Sequence, residues 1–255
     1  MRRLGYFFLE TEKIVILKCG RIGFKMNLQN TVYFGDRRVV IEEVKKGLDL
    51  ELRMRYGYGL EGASVMEVDQ MQIGVDGARA VKDFCYKTSE NVKIIFLSSF
   101  YWNASFQNAL LKLLEETPPN TFIYLFGYSQ KSFLPTVLSR VQKVQKKNTN
   151  RYLKEAKEIL SLEPNDRPDH KIVKKVLALK VSDYSFKEDE EKEKKDRESQ
   201  ILFSYALVDV LLGSGAGDFE LREKLATISE LVDIDGGNPT LFIDWLLLAA
   251  PKIMV

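Results

Sequence analysis

The chain has 255 residues, 45% of them hydrophobic and 29% charged, and a formal net charge of +2. This is enough to bury a core in one to three compact units, with the balance of a soluble globular protein. Near-neutral charge excludes a global pull toward nucleic acid or anionic membrane, so any DNA contact would be a local patch. Cys19 and Cys85 stand far apart and His170 is the only histidine; a structural zinc site needs about four such ligands, so none is expected. Arg2-Arg3 followed by Leu4 to Leu9 is too short for a secretory signal and is interrupted by Glu10. No stretch reaches membrane-span length, and a cytoplasmic protein is expected.

Residues 1–27 have strand composition at Lys13 to Lys18 and a hairpin-like turn at Cys19 to Gly23. They read as an extension or an added edge strand, with no role assigned. Thr31 to Phe34 is a predicted strand, Gly35-Asp36 a turn with Asp36 as N-cap, and Val40, Ile41, Val44 and Leu48 mark one helix face. Tyr56 to Gly62 is a glycine-rich connector with exposed aromatics. Val65 to Val68 resembles a strand, and Asp76 can cap a helix carrying Ala78, Val81 and Cys85, with Arg79 outward and solvated or ion-paired.

Lys93 to Leu97 is a short, β-branched apolar run, as in a strand buried on both faces. Asn103 offers an N-cap to a helix whose Phe106, Ala109, Leu110, Leu113 and Leu114 form one apolar stripe, ended by Pro118-Pro119. Glu115-Glu116 at its end oppose the helix dipole, so a solvated end and a tertiary role are equally open. A strand at Phe122 to Phe126, a short helix from Pro135 to Arg140 and a strand around Val141 and Val144 complete a β-α-β-α-β order, which means a parallel α/β sheet. Lys143, Lys146, Lys147 and Arg151 form a basic cluster, read as a solvated face in preference to a DNA site. Helices are predicted at Tyr152 to Leu160, Ile172 to Leu179, Leu221 to Leu231 and Leu241 to Leu248. The charged run Lys187 to Glu198 reads as the solvated start of a helix continuing through Ile201, Leu202, Tyr205, Val208 and Leu212. Leu241, Phe242, Trp245 and Leu246 recur at helical spacing and are expected on an apolar surface facing another domain or subunit.

The block Gln107 to Glu116, with Pro118, Asn120-Thr121, Leu134-Pro135-Thr136 and Ser139-Arg140, resembles the core motif of bacterial DNA polymerase III clamp-loader subunits, and among them the delta-prime type. Weaker likeness extends over Ile73 to Phe84 and Asn238 to Pro251. The resemblance implies a degenerate AAA+ α/β module (28–147), a short helical lid (148–186) and a C-terminal all-α collar (187–255). Leu50 to Ser64 lacks the four-cysteine zinc module that many relatives carry.

In this fold a phosphate-binding loop would follow the first strand, with the pattern G-x-x-x-x-G-K-[ST]. The chain instead reads Gly35-Asp36-Arg37-Arg38-Val39-Val40-Ile41-Glu42, with one glycine, no Lys-Ser/Thr pair and an aspartate that repels phosphate. Arg37 and Arg38 would attract one, although a solvated helix start is favoured. The strand that should end in magnesium-holding carboxylates ends Leu97-Ser98-Ser99-Phe100. A non-ATPase subunit without cofactor or metal is therefore expected.

Ser139-Arg140 has two readings. From the residues alone, an arginine at a helix end favours the exposed carbonyls. The resemblance implies an arginine finger, acting in trans on a neighbour's ATP with Ser139 in support; the family's following cysteine is Val141 here. Expected partners are gamma/tau-like ATPase and delta-like subunits, with the sliding clamp and primed DNA met through the complex. The alternatives are a self-sufficient ATPase of the same fold, disfavoured by the missing elements, and a free-standing DNA-binding module, disfavoured by the charge. Delta itself shares the fold but generally lacks Ser-Arg.

Overall fold

A computed structural model of the chain describes residues 28–147, 149–177, 188–215, 223–225 and 238–253. The expectations for residues 1–27 and for most of the helix at 221–231 lie outside these residues. Five strands, β1 (Thr31–Phe34), β2 (Ser64–Gln72), β3 (Lys93–Tyr101), β4 (Thr121–Gly127) and β5 (Gln142–Gln145), form one sheet in the order β2-β3-β4-β1-β5. Every pairing is parallel, so each strand returns through a crossover, and the helices cover both faces.

The period-2 alternation of strand side chains sorts the core into two layers. Val32, Phe34, Ile95, Leu97, Ile123 and Leu125 face α2 (Val75–Tyr86) and α3 (Ala104–Glu115). Tyr33, Ile94, Phe96, Tyr124 and Phe126 face α1 (Arg37–Tyr56), which presents Val40, Ile41, Val44, Leu48 and Leu52. Asn103 caps α3 as expected, its Oδ1 accepting from the Ser105 amide at 2.7 Å. Asp76 does not cap α2: Gly74 holds that position, and Asp76 pairs with Arg79 at 3.1 Å within the first turn.

Two strands outrun their apolar cores. β2 and β3 stay in register past Leu97, with Asp69 beside Ser98 and Gln70 beside Ser99. Ser98 and Ser99 are thus buried inside a strand, because ladder pairing continues where the hydrophobic run has ended. The short helix α4 (Pro135–Leu138) stops before Ser139 and Arg140.

After the sheet come α5 (Leu153–Ser161), α6 (Lys171–Leu177), α7 (Glu188–Ser214) and α8 (Pro239–Ala249). Ala156, Ile159, Leu160, Val173 and Val176 share one apolar cluster with Ile201, Leu202, Phe203 and Leu207 of α7 and Phe242, Ile243, Leu246 and Leu247 of α8. Helices expected in a lid and helices expected in a collar therefore share a core. Phe100, at the end of β3, joins the same cluster. Tyr128 stacks on Tyr205 with centroids 4.5 Å apart, and the Asn150 amide donates to the Leu202 carbonyl at 2.7 Å, docking α7 on the strand ends.

The apolar surface expected on α8 divides. Phe242 and Leu246 go into this internal core, while Leu241 is 66% and Leu248 60% exposed.

Candidate functional site

At the carboxyl ends of β1 and β3, where a phosphate loop would stand, three arginines and three carboxylates interlock. Asp36 caps α1, accepting from the Arg38 amide at 3.2 Å, and its side chain is 0% exposed. Arg151 closes on it as a fork, Nε to Oδ2 at 2.7 Å and Nη2 to Oδ1 at 2.8 Å. Burial disfavours the Arg151 charge, but the hydrogen bond to Asp36 and the charges of Asp36 and Glu198 outweigh it, so its pKa is raised.

Glu198 enters from α7 with 1% of its side chain exposed. It accepts from Arg37 Nε at 3.1 Å and Nη2 at 2.8 Å, and from Arg38 Nη2 at 3.3 Å. Arg37 also donates to Ser98 Oγ at 3.0 Å and pairs with Asp69. The charges cancel within the cluster, which is the condition for burying so many ions.

Gly35 leads into this cage with φ +147°, a backbone that side-chain-bearing residues rarely adopt. A Cβ there would also collide with the Thr149 hydroxyl, which accepts from the Asp36 amide at 3.0 Å. The glycine thus serves close packing of the strand end against residue 149.

Sequence reading found Asp36 as the cap of α1, but it left Arg37 on a solvated helix start. The structure buries it, because Glu198 arrives as partner. Glu198 and Arg151 were missed as site residues. A signal for Glu198 existed: it stands at i relative to Ile201, Leu202 and Tyr205 at i+3, i+4 and i+7, so it continues the buried stripe of α7.

Half of the basic cluster is consumed internally, while Lys143 and Lys147 stay exposed. Lys146 is buried and paired with Glu43 at 3.0 Å, and Arg151 belongs to the cage. Beside Gly35 a cleft of about 1140 Å³ opens between the strand ends and α5 and α7, its lining including Lys147, Lys154, Lys157 and Asp209. No group of three or more potential metal ligands occurs among the described residues. Burial pushes the Cys85 thiol up to about 11, with Lys93 opposing, which makes it a poor nucleophile at neutral pH.

Arg140 lies at the other end of the strands. It stands two residues before β5, whose first residue, Gln142, is level with Thr31 at the start of β1; the cage sits past the end of β1. The Arg140 side chain is 32% exposed. Its Nε donates to Glu115 Oε1 at 2.7 Å, Nη2 reaches the same oxygen, and Nη1 donates to the Thr136 carbonyl at 2.7 Å and to Ser139 Oγ at 3.1 Å. The helix-end contact expected of the isolated residues is therefore made, and Glu115 at the end of α3 gains a tertiary partner. Gln107 supports this corner from within: buried, it donates to the carbonyls of Trp102 at 2.9 Å and Ser132 at 3.1 Å and accepts from the Leu134 amide at 2.7 Å, where α4 begins.

Residues 59–150, which run from before β2 to the cage, match the family model described as DNA polymerase III, delta subunit. The five-stranded parallel sheet with flanking helices is the α/β architecture expected from the sequence. The solved structure of a DNA polymerase III gamma subunit-related protein from Thermotoga maritima is 16% identical to this chain, at a TM-score of 0.43, covering 88% of this chain and 94% of that one. Comparison with curated proteins gives no match. Among the described residues, no helix is long and apolar enough to cross a membrane.

Proposed function

We propose that this chain is a delta-prime-like, non-hydrolysing subunit of a clamp loader, supplying Arg140 in trans to the ATP site of a neighbouring gamma/tau-like subunit. The observation that carries the reading is the division of labour across the sheet. The chain's own phosphate-loop position is filled by the Asp36–Arg151 and Arg37–Glu198 pairs, while Arg140 stands at the opposite end of the strands, away from that position. A buried aspartate at the helix N-terminus takes up the positive end that would otherwise receive phosphate. Arg140 offers the planar, permanently charged fork suited to a γ-phosphate, with Ser139 supporting it.

In this reading residues 28–147 form the α/β module, 148–186 a lid and 187–255 a collar. The half-buried Trp245 and the exposed Leu241 and Leu248 face other subunits, among them a delta-like one. The protein works in the cytoplasm, and the clamp and primed DNA are met through the assembly.

The test is a reconstituted assembly with Arg140→Ala. One of several ATP sites loses its finger, and such fingers contribute on the order of a thousandfold at the site they serve, so total ATPase falls partially and clamp loading falls further. Arg140→Lys rescues poorly because ammonium lacks the fork. The isolated chain shows no micromolar ATP affinity in calorimetry. Wild-type loading by an assembled Arg140→Ala complex would overturn the trans role; tight ATP binding by the chain alone would overturn the dead site.

A further inference from the structure

We propose that Glu115 is a positioning residue for Arg140, holding one edge of its guanidinium so that the opposite edge meets the neighbour's phosphate already aimed. This rests on the trans reading of Arg140 and specifies how that residue is prepared. A guanidinium carries five N–H donors along two usable edges. Glu115 takes the whole Nε–Nη2 edge through one oxygen, Oε1. The Nη1–Nη2 edge faces away from it, with Nη1 engaged by the Thr136 carbonyl and by Ser139 Oγ.

Of these acceptors, Ser139 is the one made to yield. Its contact, at 3.1 Å, is longer than the 2.7 Å contacts to Glu115 Oε1 and the Thr136 carbonyl; its hydroxyl is neutral, and it has another partner in the Thr136 carbonyl at 3.0 Å. Rotation of that hydroxyl frees an Nη1 donor beside the remaining Nη2 donor, which together form a fork for two phosphate oxygens. Glu115 stays in place throughout.

Two further features fit. Glu115 is the last residue of α3, where a carboxylate opposes the helix dipole, so its location is explained by the arginine and not by the helix. Holding a long, flexible side chain before the partner arrives also removes the entropy cost of ordering it at the moment of reaction.

The experiment uses the reconstituted assembly and follows DNA-stimulated ATP turnover. Glu115→Ala should slow the one site that Arg140 serves roughly two- to fivefold, the span expected for a partly exposed ion pair, so total turnover falls by less than in Arg140→Ala, with KM for ATP unchanged because the neighbour binds the nucleotide. Glu115→Gln should retain most of the turnover, since a single oxygen accepts both bonds and the amide oxygen can replace it. In an Arg140→Ala background, Glu115→Ala should add no further loss. The proposal is overturned if Glu115→Ala turns over like wild type while Arg140→Ala is impaired, if the two losses multiply, or if Glu115→Gln is as impaired as Glu115→Ala. If Arg140→Ala itself matches wild type, the trans reading fails and this role fails with it.

Discussion

Each ion in the cage is stable only because of the others. Removing a carboxylate from a buried pair leaves an uncompensated guanidinium, which costs far more than the intact pair contributes. Glu198 is the sharpest case, because it accepts from Arg37 and Arg38 and lies within 3.6 Å of Arg151. Glu198→Ala should lower stability by about 3–5 kcal/mol, seen as a fall in the urea midpoint of the isolated chain, whereas Glu198→Gln, which keeps an acceptor, should cost less. Restored ATP binding is not expected from either variant, since Asp36 and Arg151 still fill the loop position. An unchanged midpoint for Glu198→Ala would mean that the cage contributes nothing to holding α7 on the sheet.

Helix ends show the same economy with arginine and lysine used as caps. Arg167, fully buried, donates to the carbonyls of Leu247 at 3.0 Å and Ala250 at 2.7 Å near the end of α8, and to Leu160 at 3.3 Å and Leu162 at 3.2 Å near the end of α5. These are last-turn carbonyls that no helical N–H can reach, and the dipoles there favour a cation. Burial lowers the Arg167 pKa, with Glu163 opposing. Lys93 does the same for α2, donating to the Cys85 carbonyl at 2.7 Å and to Phe84 at 3.0 Å. Replacing Arg167 by Met fills space but takes the donor from the Leu247 and Ala250 carbonyls, while Leu160 keeps the Ile253 amide at 3.0 Å, so Arg167→Met should cost about 2–4 kcal/mol in urea unfolding. A loss below about 0.5 kcal/mol, the range of ordinary surface substitutions, would show that the helix ends do not depend on it.

For the molecule as a whole, α8 is where internal packing and assembly part company. Leu241, Trp245 and Leu248 recur at i, i+4 and i+7 along one side, while Phe242, Ile243, Leu246 and Leu247 fill the core. Leu241→Asp with Leu248→Asp should leave the isolated chain's stability within about 1 kcal/mol, since each change is at an exposed site. It should nevertheless weaken assembly with the partner subunits, read by size-exclusion chromatography. Normal assembly by the double variant would remove the stripe from the subunit interface.

The sequence by itself determined the elements and their layering. The apolar runs of β1, β3 and β4, the i, i+3, i+4 stripes of α1 and α3, and the caps Asp36 and Asn103 are local signals, each decided within a few residues. The missing phosphate-loop residues are legible for the same reason, because a contiguous motif is either present or not. Charge pairing is different. The chain has 38 Lys and Arg against 36 Asp and Glu, and nothing local says which meet. Glu198 and Arg37 are 161 positions apart, and Arg140 and Glu115 are 25 apart. Only closure of the parallel sheet and docking of α7 brought them together, and only the strand register put Arg140 and the cage at opposite ends of the strands.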